Sequence, residues 1–200
     1  MVRYRPSGRL LDIGCATGDF LTVASNRFQV EGLELSAWAI QIARQKGLTI
    51  HQSDLAGFQP QNPYDVLTLW GVIEHFEDPS REIGRMHRLL RAGGLVCVWT
   101  GDIESWPARL LGRNWWYIQG QHLQVFSRTS LERAFCQAGF QRLWIGRYPY
   151  VMSLKSIAKS LNRYPPLGAA AQRLFSPPSI SRLRLTVTLP GEMFAIFRKS

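Results

Sequence analysis

Three acidic side chains recur at regular intervals in the first third of the chain, each near the end of an apolar stretch. Asp12 is followed by the glycines Gly14 and Gly18. Glu34 comes 20 residues after Gly14, and Asp54 comes 20 residues after Glu34. An acid about 20 residues beyond a glycine turn is placed to accept hydrogen bonds from the ribose hydroxyls of a nucleoside. The spacing therefore predicts an adenine nucleoside site, with Glu34 at the ribose and Asp54 at the exocyclic amine of the base.

The loop between the two glycines differs from a dinucleotide-binding loop. A dinucleotide loop has the pattern G-x-G-x-x-G, whose backbone amides hold a pyrophosphate. Here three residues separate Gly14 from Gly18, and no third glycine follows. Asp12 and Asp19 flank the loop, where they would repel a phosphate and suit a cation. S-adenosylmethionine has a sulfonium, an ammonium and no phosphate, so the charges favour it as the cofactor over NAD.

The residues expected to bind this cofactor lie in the glycine loop and just beyond the next three strands. A glycine lets a ligand approach the backbone closely because it has no Cβ atom. Asp12 is expected to order the loop backbone, and Cys15 is expected to be a small residue that fits there, with a nucleophilic role disfavoured. The predicted cofactor-binding residues are Asp12, Gly14, Cys15, Ala16, Gly18, Glu34, Leu35, Asp54, Leu55, Trp70, Gly71 and Val72.

Two histidines are the candidates for a catalytic base that removes a proton from an acceptor. His75 follows the fourth predicted strand, and an imidazole, with an unperturbed pKa near ~6.5, suits general-base work. Its alternative role is to cap the neighbouring helix or to order the loop with Glu74. His122 lies in an aromatic segment, which it could instead fix by a hydrogen bond. No metal site is predicted, because no cluster of His and Asp has ligand spacing.

Strands that alternate with helices must bring these residues to one edge of a sheet. The alternation, with short connections, predicts an α/β fold with a doubly wound parallel sheet, in which ligands bind beyond the carboxyl ends of the strands. Helices are predicted after Ser36 and Asp78, and a capping box is predicted at Thr129–Glu132. The predicted strands are Arg9–Ile13, Gln29–Leu35, Leu48–Gln52, Tyr64–Trp70, Gly94–Thr100, Phe140–Tyr148 and Met193–Arg198.

Three motifs in this order resemble those of the class I S-adenosylmethionine-dependent methyltransferases. The first is LLDIGCATGDFL at 10–21, followed by Glu34 as the ribose acid. The second comprises YDVL at 64–67 and IEHFEDP at 73–79, and the third is LLRAGG at 89–94. The similarity is to the small-molecule group that includes ubiquinone-biosynthesis O-methyltransferases and polysaccharide-associated enzymes. It implies a Rossmann-like sheet of seven strands in the order 3-2-1-4-5-7-6, with the last strand antiparallel.

The resemblance implies an enzyme that transfers a methyl group from S-adenosylmethionine to a small or lipid-linked acceptor, with oxygen as the expected acceptor atom. The alternative is a methyltransferase-like protein that binds the cofactor without turnover. Two features motivate this alternative. Gly71 stands where relatives often carry a small acid or asparagine, and only eight residues precede Arg9.

The basic residues are unevenly distributed along the chain. Residues 1–100 hold ten basic and ten acidic residues, so the net charge of +10 arises from residues 101–200. Helical spacing of Leu154, Ile157, Ala158 and Leu161, and of residues 167–175, predicts two basic amphipathic helices there. Such helices can contact an anionic membrane. The alternative is a basic, solvated cover over the substrate pocket, and nucleic-acid binding is disfavoured because no such module is visible.

The chain is expected to form a single domain over 1–200, with substrate-side insertions at about 102–127 and 149–190. The first insertion contains Trp106, Trp115, Trp116 and Tyr117, which could form either a substrate wall or a small satellite core. No apolar run is long enough to span a bilayer. The N-terminal residues lack the apolar core of a signal peptide, so the expected location is cytoplasmic, with peripheral membrane contact. The three cysteines are expected to be free thiols.

Overall fold

In the computed structural model the chain forms two compact units. The first comprises residues 1–146 and 191–200, and the second comprises residues 147–190. The expectation of a single domain stays a prediction. The structure describes residues 1–118, 120–147, 149–161, 165–175, 177, 183–188 and 190–200.

The first unit contains one seven-stranded sheet in the order β3-β2-β1-β4-β5-β9-β6. The predicted order is confirmed, with β9 as the family's seventh strand. β9 runs antiparallel to both neighbours, whereas β1 to β5 are parallel. The strands are β1 (Gly8–Ile13), β2 (Phe28–Glu34), β3 (Thr49–Gln52), β4 (Tyr64–Trp70), β5 (Leu90–Gly101), β6 (Phe140–Gly146) and β9 (Glu192–Lys199).

Five helices and two short 3-10 turns connect these strands. Ser36 and Asp78 cap the second and third helices as predicted, each accepting a hydrogen bond from a backbone N–H three residues on. The helices are α1 (Asp19–Ala24), α2 (Ala37–Gln45), α3 (Pro79–Leu89), α4 (Trp106–Leu111) and α5 (Arg128–Gln137), and the 3-10 turns are Ile73–His75 and Gly112–Asn114.

The central strand β4 is buried from Tyr64 to Leu69. Elements cover both faces of a parallel sheet, which explains the continuous β-prone run in its sequence. α3 and α5 pack on one face through fully buried side chains that include Met86 and Phe135. Cys15 and Cys97 are buried and Cys136 is exposed, and all three are free thiols as predicted.

Two predicted boundaries were wrong. β5 begins at Leu90 and not at Gly94, because the chain leaves α3 directly into the strand. The capping box of α5 is formed by Ser127 and Ser130, and not from Thr129 onward. The Ser127 side chain accepts from the Ser130 N–H, and the Ser130 hydroxyl accepts from the Ser127 N–H. Both Ser127 and Thr129 are residue types that cap helices. The extended backbone at Ser127 makes it the N-cap of α5.

The second unit contains a hairpin of β7 (Pro149–Ser153) and β8 (Arg184–Thr188) and the helices α6 (Leu154–Leu161) and α7 (Pro165–Phe175). Both predicted helices are confirmed, whereas the hairpin was not predicted. Ala158 and Ala171 are buried, but Ala170 and Leu174, which belong to the predicted apolar face of α7, are exposed. The predicted end of the sixth strand at Tyr148 and the basic residue Arg163 lie outside the described residues. Among the helices of the described residues, none is both long and apolar enough to cross a membrane.

Candidate cofactor and acceptor site

The carboxyl ends of four parallel strands meet at one edge of the sheet. Ile13 at the end of β1 lies opposite Leu33 in β2 and Leu69 in β4. Glu34 at the end of β2 lies opposite Gln52, the last residue of β3. The predicted cofactor residues follow these positions directly along the chain. The register therefore gathers segments that lie far apart in the sequence at the edge where such sheets bind ligands.

Asp12 lies inside the sheet at this edge, with only 2% of its surface exposed. The Thr68 hydroxyl of the neighbouring strand donates a hydrogen bond of 2.6 Å to its carboxylate. Burial raises the pKa of Asp12 to about 7, and the hydrogen bond from Thr68 only partly opposes this effect. The hydrogen bond of Asp12 goes to β4 and not to the loop, so the expectation that it orders the loop backbone stays a prediction.

The glycine loop is held by its own backbone hydrogen bonds. The amides of Gly14 and Cys15 both donate to the Leu33 carbonyl, at 2.9 and 3.0 Å. The Gly18 amide donates to the Cys15 carbonyl at 2.9 Å, and the Ala16 amide donates to the Glu34 carboxylate at 2.9 Å. Amides that are already engaged cannot hold a pyrophosphate in the way that a dinucleotide loop does. The loop therefore suits a ligand without phosphate.

Two positions in the loop have left-handed backbone for which glycine is suited. Gly14 has φ +69°, and a Cβ atom built there would lie 2.7 Å from Cγ2 of Val72. The loop after β1 thus packs directly on the chain that follows β4. Gly18 has φ +75° and is pressed against Ala43 of α2. Ala16 also has positive φ, +46°, a conformation that costs alanine roughly 1 kcal/mol or more.

Cys15 fills a space that Gly32 of β2 leaves open. Its side chain is buried, and a Cβ atom built on Gly32 would lie 2.5 Å from its Sγ atom. Burial, reinforced by the nearby carboxylates Asp12 and Glu34, raises the pKa of the thiol to about 12. A thiol that stays protonated is a poor nucleophile. The geometry agrees with the interpretation of Cys15 as a small packing residue.

Glu34 is already engaged with the backbone around it. One carboxylate oxygen accepts from the N–H groups of Leu35 and Ser36, at 2.9 and 2.8 Å, and the other accepts from the Ala16 N–H. Because a carboxylate has about four lone-pair positions, roughly one remains for a ribose hydroxyl. Glu34 therefore joins β2 to the glycine loop, a function that its spacing alone did not reveal. The neighbouring Leu35 side chain is 65% exposed.

Asp54 and Leu55 occupy different environments beyond β3. Asp54 is exposed and accepts a hydrogen bond of 2.8 Å from the Gly57 N–H, which closes a short turn. The other oxygen of this carboxylate makes no hydrogen bond to a described residue. Leu55 is 6% exposed and packs in the main core. The structure thus makes Asp54 accessible to a ligand and Leu55 a core residue.

Trp70, Gly71 and Val72 continue from β4 beside the glycine loop. The Trp70 ring lies 4.9 Å from the Phe20 ring of α1, measured between centroids. Gly71 has φ +70°, and a Cβ atom there would lie 3.1 Å from the Trp99 ring. The positive φ explains why this chain carries glycine at position 71. Phe20 was not predicted at the site, because its role as a helix residue gave no sign of this contact.

The two candidate histidines lie side by side, although 46 residues separate them. Their ring centroids are 4.8 Å apart and the rings meet edge to face. Nδ1 of His75 lies 2.9 Å from the Gln121 carbonyl oxygen, and Nδ1 of His122 lies 2.6 Å from the Tyr117 carbonyl oxygen. These carbonyls favour a proton on each Nδ1 and leave each Nε2 for another partner. The structure brings the two predicted bases to one place.

A buried carboxylate lies beside this histidine pair. Glu74 is 1% exposed and accepts hydrogen bonds from the hydroxyls of Tyr117 and Thr100. Burial, and then the charge of Glu74, raise the pKa of Tyr117 above its usual range, so this phenol stays protonated. Tyr117 and Thr100 were missed as site residues, because nothing in the sequence connects either residue with Glu74.

Two of the four large aromatic residues of the insertion, Trp115 and Tyr117, form a small satellite core. Trp115 and Tyr117 are 1% and 6% exposed and pack with Ala108, partly covered by Trp116. Trp106 is 59% exposed. The alternative of a satellite core therefore describes Trp115 and Tyr117. Trp106 remains open to solvent on this unit.

Glu74, His75 and His122 each bring a side-chain oxygen or nitrogen atom within 4.8 Å of the others. Such residue types can bind a metal ion, and their spacing in the sequence does not predict that they lie close together. Both oxygens of Glu74 already accept hydrogen bonds from hydroxyl groups. The expectation that the chain has no metal site stays a prediction.

The residues at the sheet edge fit S-adenosylmethionine. Four of the loop amides are engaged, which disfavours phosphate, and the carboxylate of Glu34 suits a cationic ligand. Gly14 keeps the loop free of a side chain where the backbone is exposed. The donor and acceptor set thus agrees with the cofactor that the charges in the sequence favour.

Comparison with known proteins gives the family. A sequence model described as "Methyltransferase domain" matches residues 3–143. A ubiquinone biosynthesis O-methyltransferase of Vibrio cholerae is 33% identical over 115 residues, covering 52% of this chain and 47% of the relative. The chloroplastic 2-methyl-6-phytyl-1,4-hydroquinone methyltransferase 2 of Oryza sativa is 30% identical over 141 residues, covering 64% of this chain and 40% of the relative.

Solved structures share the fold. An S-adenosylmethionine-dependent methyltransferase from Archaeoglobus fulgidus superposes with a TM-score of 0.65 at 19% identity, covering 98% of this chain and 90% of that chain. The chain spans less than half the length of the curated relatives it matches. The match to the family model covers well over half of the chain, and the sheet order is the one that the resemblance implied. The chain belongs to the methyltransferase domain family, whose cofactor is S-adenosylmethionine.

Proposed function

We propose that the protein transfers a methyl group from S-adenosylmethionine to an oxygen atom of a small or lipid-linked acceptor. One observation carries the proposal: the predicted cofactor site and the histidine pair follow the same edge of the sheet. The glycine loop, whose amides are engaged and which is flanked by acids, lies at this edge. Strand β4 ends at the same edge and leads to His75. The printed names of two relatives support the acceptor class. One is a ubiquinone biosynthesis O-methyltransferase, and the other names a hydroquinone with a phytyl chain.

Each group at the sheet edge has a proposed part in holding the cofactor. The remaining lone pair of Glu34 accepts a ribose hydroxyl, and the exposed oxygen of Asp54 accepts the adenine amine. Gly14 and its neighbours in the loop border the methionine portion, with Trp70 and Val72 on the side of β4. Asp12 joins β1 to β4 through its hydrogen bond with Thr68, and the carboxylate of Glu34 supplies negative charge for the cation.

The proposed mechanism needs positioning and one proton transfer. When bound, the cofactor would supply a methyl group on a positively charged sulfur, and the carbon–sulfur bond would break as the acceptor oxygen bonds to the methyl carbon, leaving the neutral demethylated product. The chain's own residues hold the two reactants together, which is where most of the rate enhancement arises in such reactions. Nε2 of His75 takes the proton of the acceptor hydroxyl, and His122 is the second candidate for this role.

Calorimetric titration with S-adenosylmethionine and with its demethylated product tests the cofactor site. Glu34→Ala should abolish binding, and Glu34→Gln should weaken it while keeping the side-chain shape that supports the loop. Glu31→Gln is the matched control, because Glu31 is in the same strand but pairs with Arg9 and His51. Unchanged affinity in both Glu34 variants would refute the assignment.

A transfer assay with labelled methyl donor tests turnover. The acceptor is sought in a cell extract that is fractionated into polar, lipid and macromolecular pools. Label should enter the polar or lipid pool, and His75→Ala should reduce transfer with cofactor binding intact. Unchanged turnover in that variant would move the base assignment to His122. Tight cofactor binding with no transfer to any pool would instead support the alternative of a binding protein without turnover.

We also propose that residues 147–190 contact an anionic membrane that presents the acceptor. This stretch contains seven basic residues and no acidic residue. The side chains of Lys155, Lys159, Arg173 and Arg184 are exposed. Apolar side chains are exposed in the same unit: Val151 at 66%, Leu174 at 63%, Leu183 at 54% and Leu185 at 48%. Basic charge beside exposed apolar surface is the combination that binds membrane interfaces.

Flotation with liposomes tests this contact. The chain should float with vesicles that contain phosphatidylserine at low salt and less so at high salt, because salt screens the charges. Lys155→Glu with Lys159→Glu should reduce flotation, and Arg81→Glu, an exposed basic residue of the first unit, should not. No binding to anionic vesicles at low salt would end the proposal.

A further inference from the structure

We propose that Tyr117 is a positioning residue: its hydroxyl, bonded to the buried carboxylate of Glu74, fixes the aromatic insertion so that His75 and His122 form one proton-accepting pair. The inference deepens the proposed function and rests on it for the role of the pair. The placement of the two rings, by contrast, is a property of the protein without cofactor or acceptor.

The carboxylate of Glu74 is the centre of this arrangement. It is buried to 99%, and among the described residues no lysine or arginine forms an ion pair with it. A buried carboxylate is costly unless hydrogen bonds compensate. The hydroxyl of Tyr117 supplies one such bond and that of Thr100 supplies another, at 2.9 Å. Removing either donor would leave part of this charge without compensation.

The backbone of Glu74 holds the other end of the insertion. Its carbonyl oxygen accepts hydrogen bonds from the amides of Leu123, at 2.9 Å, and Gln124, at 3.0 Å. Side chain and main chain of one residue therefore hold the segment on both sides of His122. A loop held at both sides loses the freedom that would let the imidazole move.

Each imidazole is in turn fixed by the segment that Glu74 holds. The Nδ1 atom of His122 contacts the carbonyl of Tyr117 itself, and the Nδ1 atom of His75 contacts the carbonyl of Gln121. The Tyr117 ring also lies 4.7 Å from the His122 ring, between centroids. On its other side it lies against Gly101, where any side chain would collide with it. Tyr117 thus contacts His122 through its ring and its carbonyl, while its hydroxyl bonds to Glu74.

The consequence is a pair whose two Nε2 atoms remain available together. The Nε2 atom of one histidine can take the proton from the hydroxyl of the methyl acceptor. The ring of the other histidine holds the first ring at a fixed angle. A displacement of about 1 Å in a catalytic group can cost about 100-fold in rate. Loss of the Tyr117 hydroxyl should therefore affect turnover much more than cofactor affinity.

Nuclear magnetic resonance of histidine-labelled protein tests the placement directly. The unmodified protein, without cofactor, should show a nuclear Overhauser cross-peak between the rings of His75 and His122. Tyr117→Phe should weaken or remove it. Tyr64→Phe is the matched control: Tyr64 is also a buried tyrosine whose pKa is raised by burial and by a carboxylate, Glu31, but at the opposite end of β4. The control should keep the cross-peak.

Kinetics supply the second readout once the acceptor is identified. Tyr117→Phe should lower kcat by between about tenfold and 100-fold, with KM for S-adenosylmethionine changed less than about twofold. Glu74→Gln should retain the cross-peak and most of kcat, because a glutamine oxygen accepts from Thr100 and its amide donates to the Tyr117 oxygen. If Tyr117→Phe does not fold, Glu74→Asp replaces it in the test, because the shorter side chain weakens the hydrogen bond to Tyr117. Glu74→Asp should then weaken the cross-peak and lower kcat as expected for Tyr117→Phe.

Two results would overturn the proposal. The first is a cross-peak of equal strength in Tyr117→Phe and in Tyr64→Phe. The second is a cross-peak that appears only after Zn²⁺ is added and persists in Tyr117→Phe, because an ion would then hold the pair. If the cross-peak depends on Tyr117 but the unmodified protein transfers no methyl group, the placement stands and the proposed function fails.

Discussion

At the scale of single residues, Asp12 makes stability depend on pH. Its carboxyl has a pKa of about 7 in the folded chain against 3.8 unfolded, because burial disfavours the charge. The folded state therefore holds a proton that the unfolded state releases, and stability should fall as pH rises from about 4 to about 7. The full loss is on the order of 4 kcal/mol at most. Asp12→Asn should remove this loss, since asparagine keeps an acceptor for Thr68 but cannot ionise.

Urea unfolding of both proteins between pH 4.5 and pH 8 measures the effect. The two free energies of unfolding should be similar at the acid end, and the variant should be more stable at pH 8. Parallel profiles over the whole range would show that Asp12 ionises freely in the folded chain.

At the scale of elements, two substitutions distinguish the observed start of α5, capped by Ser127, from the predicted start at Thr129. Ser127→Ala should cost about 1 kcal/mol, because the helix loses the side-chain acceptor for the Ser130 amide. Thr129→Ala should change stability by less than about 0.5 kcal/mol, as expected for a surface position without a special role. Chemical denaturation compares the two variants, and a larger cost at Thr129 would restore the start predicted from the sequence.

Elements also decide which part of the aromatic insertion serves the site. α4 and the following 3-10 turn carry Ala108 and lead into Trp115, and both residues pack in the satellite core. The same packing directs Tyr117 toward Glu74. A single short stretch thus provides both a local core and a contact with the histidine pair.

At the scale of the whole molecule, the cofactor should stabilise the folded chain. A ligand present at 100 times its Kd adds about 2.7 kcal/mol when it binds only the folded state. For a chain of this size that corresponds to an increase in Tm of roughly 5 to 11 °C. S-adenosylmethionine should give such a shift in a thermal scan, and NAD should give none because the loop amides are engaged.

Glu34→Gln is the informative variant in the same scan. It should retain a melting transition but show a smaller shift with S-adenosylmethionine, because the ribose contact is weakened. An equal shift with NAD would contradict the interpretation of the loop. A shift that is unchanged in Glu34→Gln would place the ribose elsewhere.

Much of the architecture could be predicted from the sequence, because short-range patterns specify it. Alternating apolar strands and capped helices gave the sheet, and Ser36 and Asp78 were identified as caps from residue type alone. The hairpin of β7 and β8 was missed because basic and proline residues break its pattern. The start of α5 was misplaced because Ser127 and Thr129 are both good caps, and only the backbone conformation distinguishes them.

By itself, the sequence determined the positions of Asp12, Glu34 and Asp54 at strand ends, since the spacing of acids along successive strands is a local property. Only the tertiary structure decided what these groups contact. It showed Glu34 bound to the Ala16 amide of the loop, Asp12 buried, and His75 beside His122 and near the carboxylate of Glu74. Those contacts join residues as much as 47 positions apart, and they arise from sheet register and packing, which no local pattern encodes.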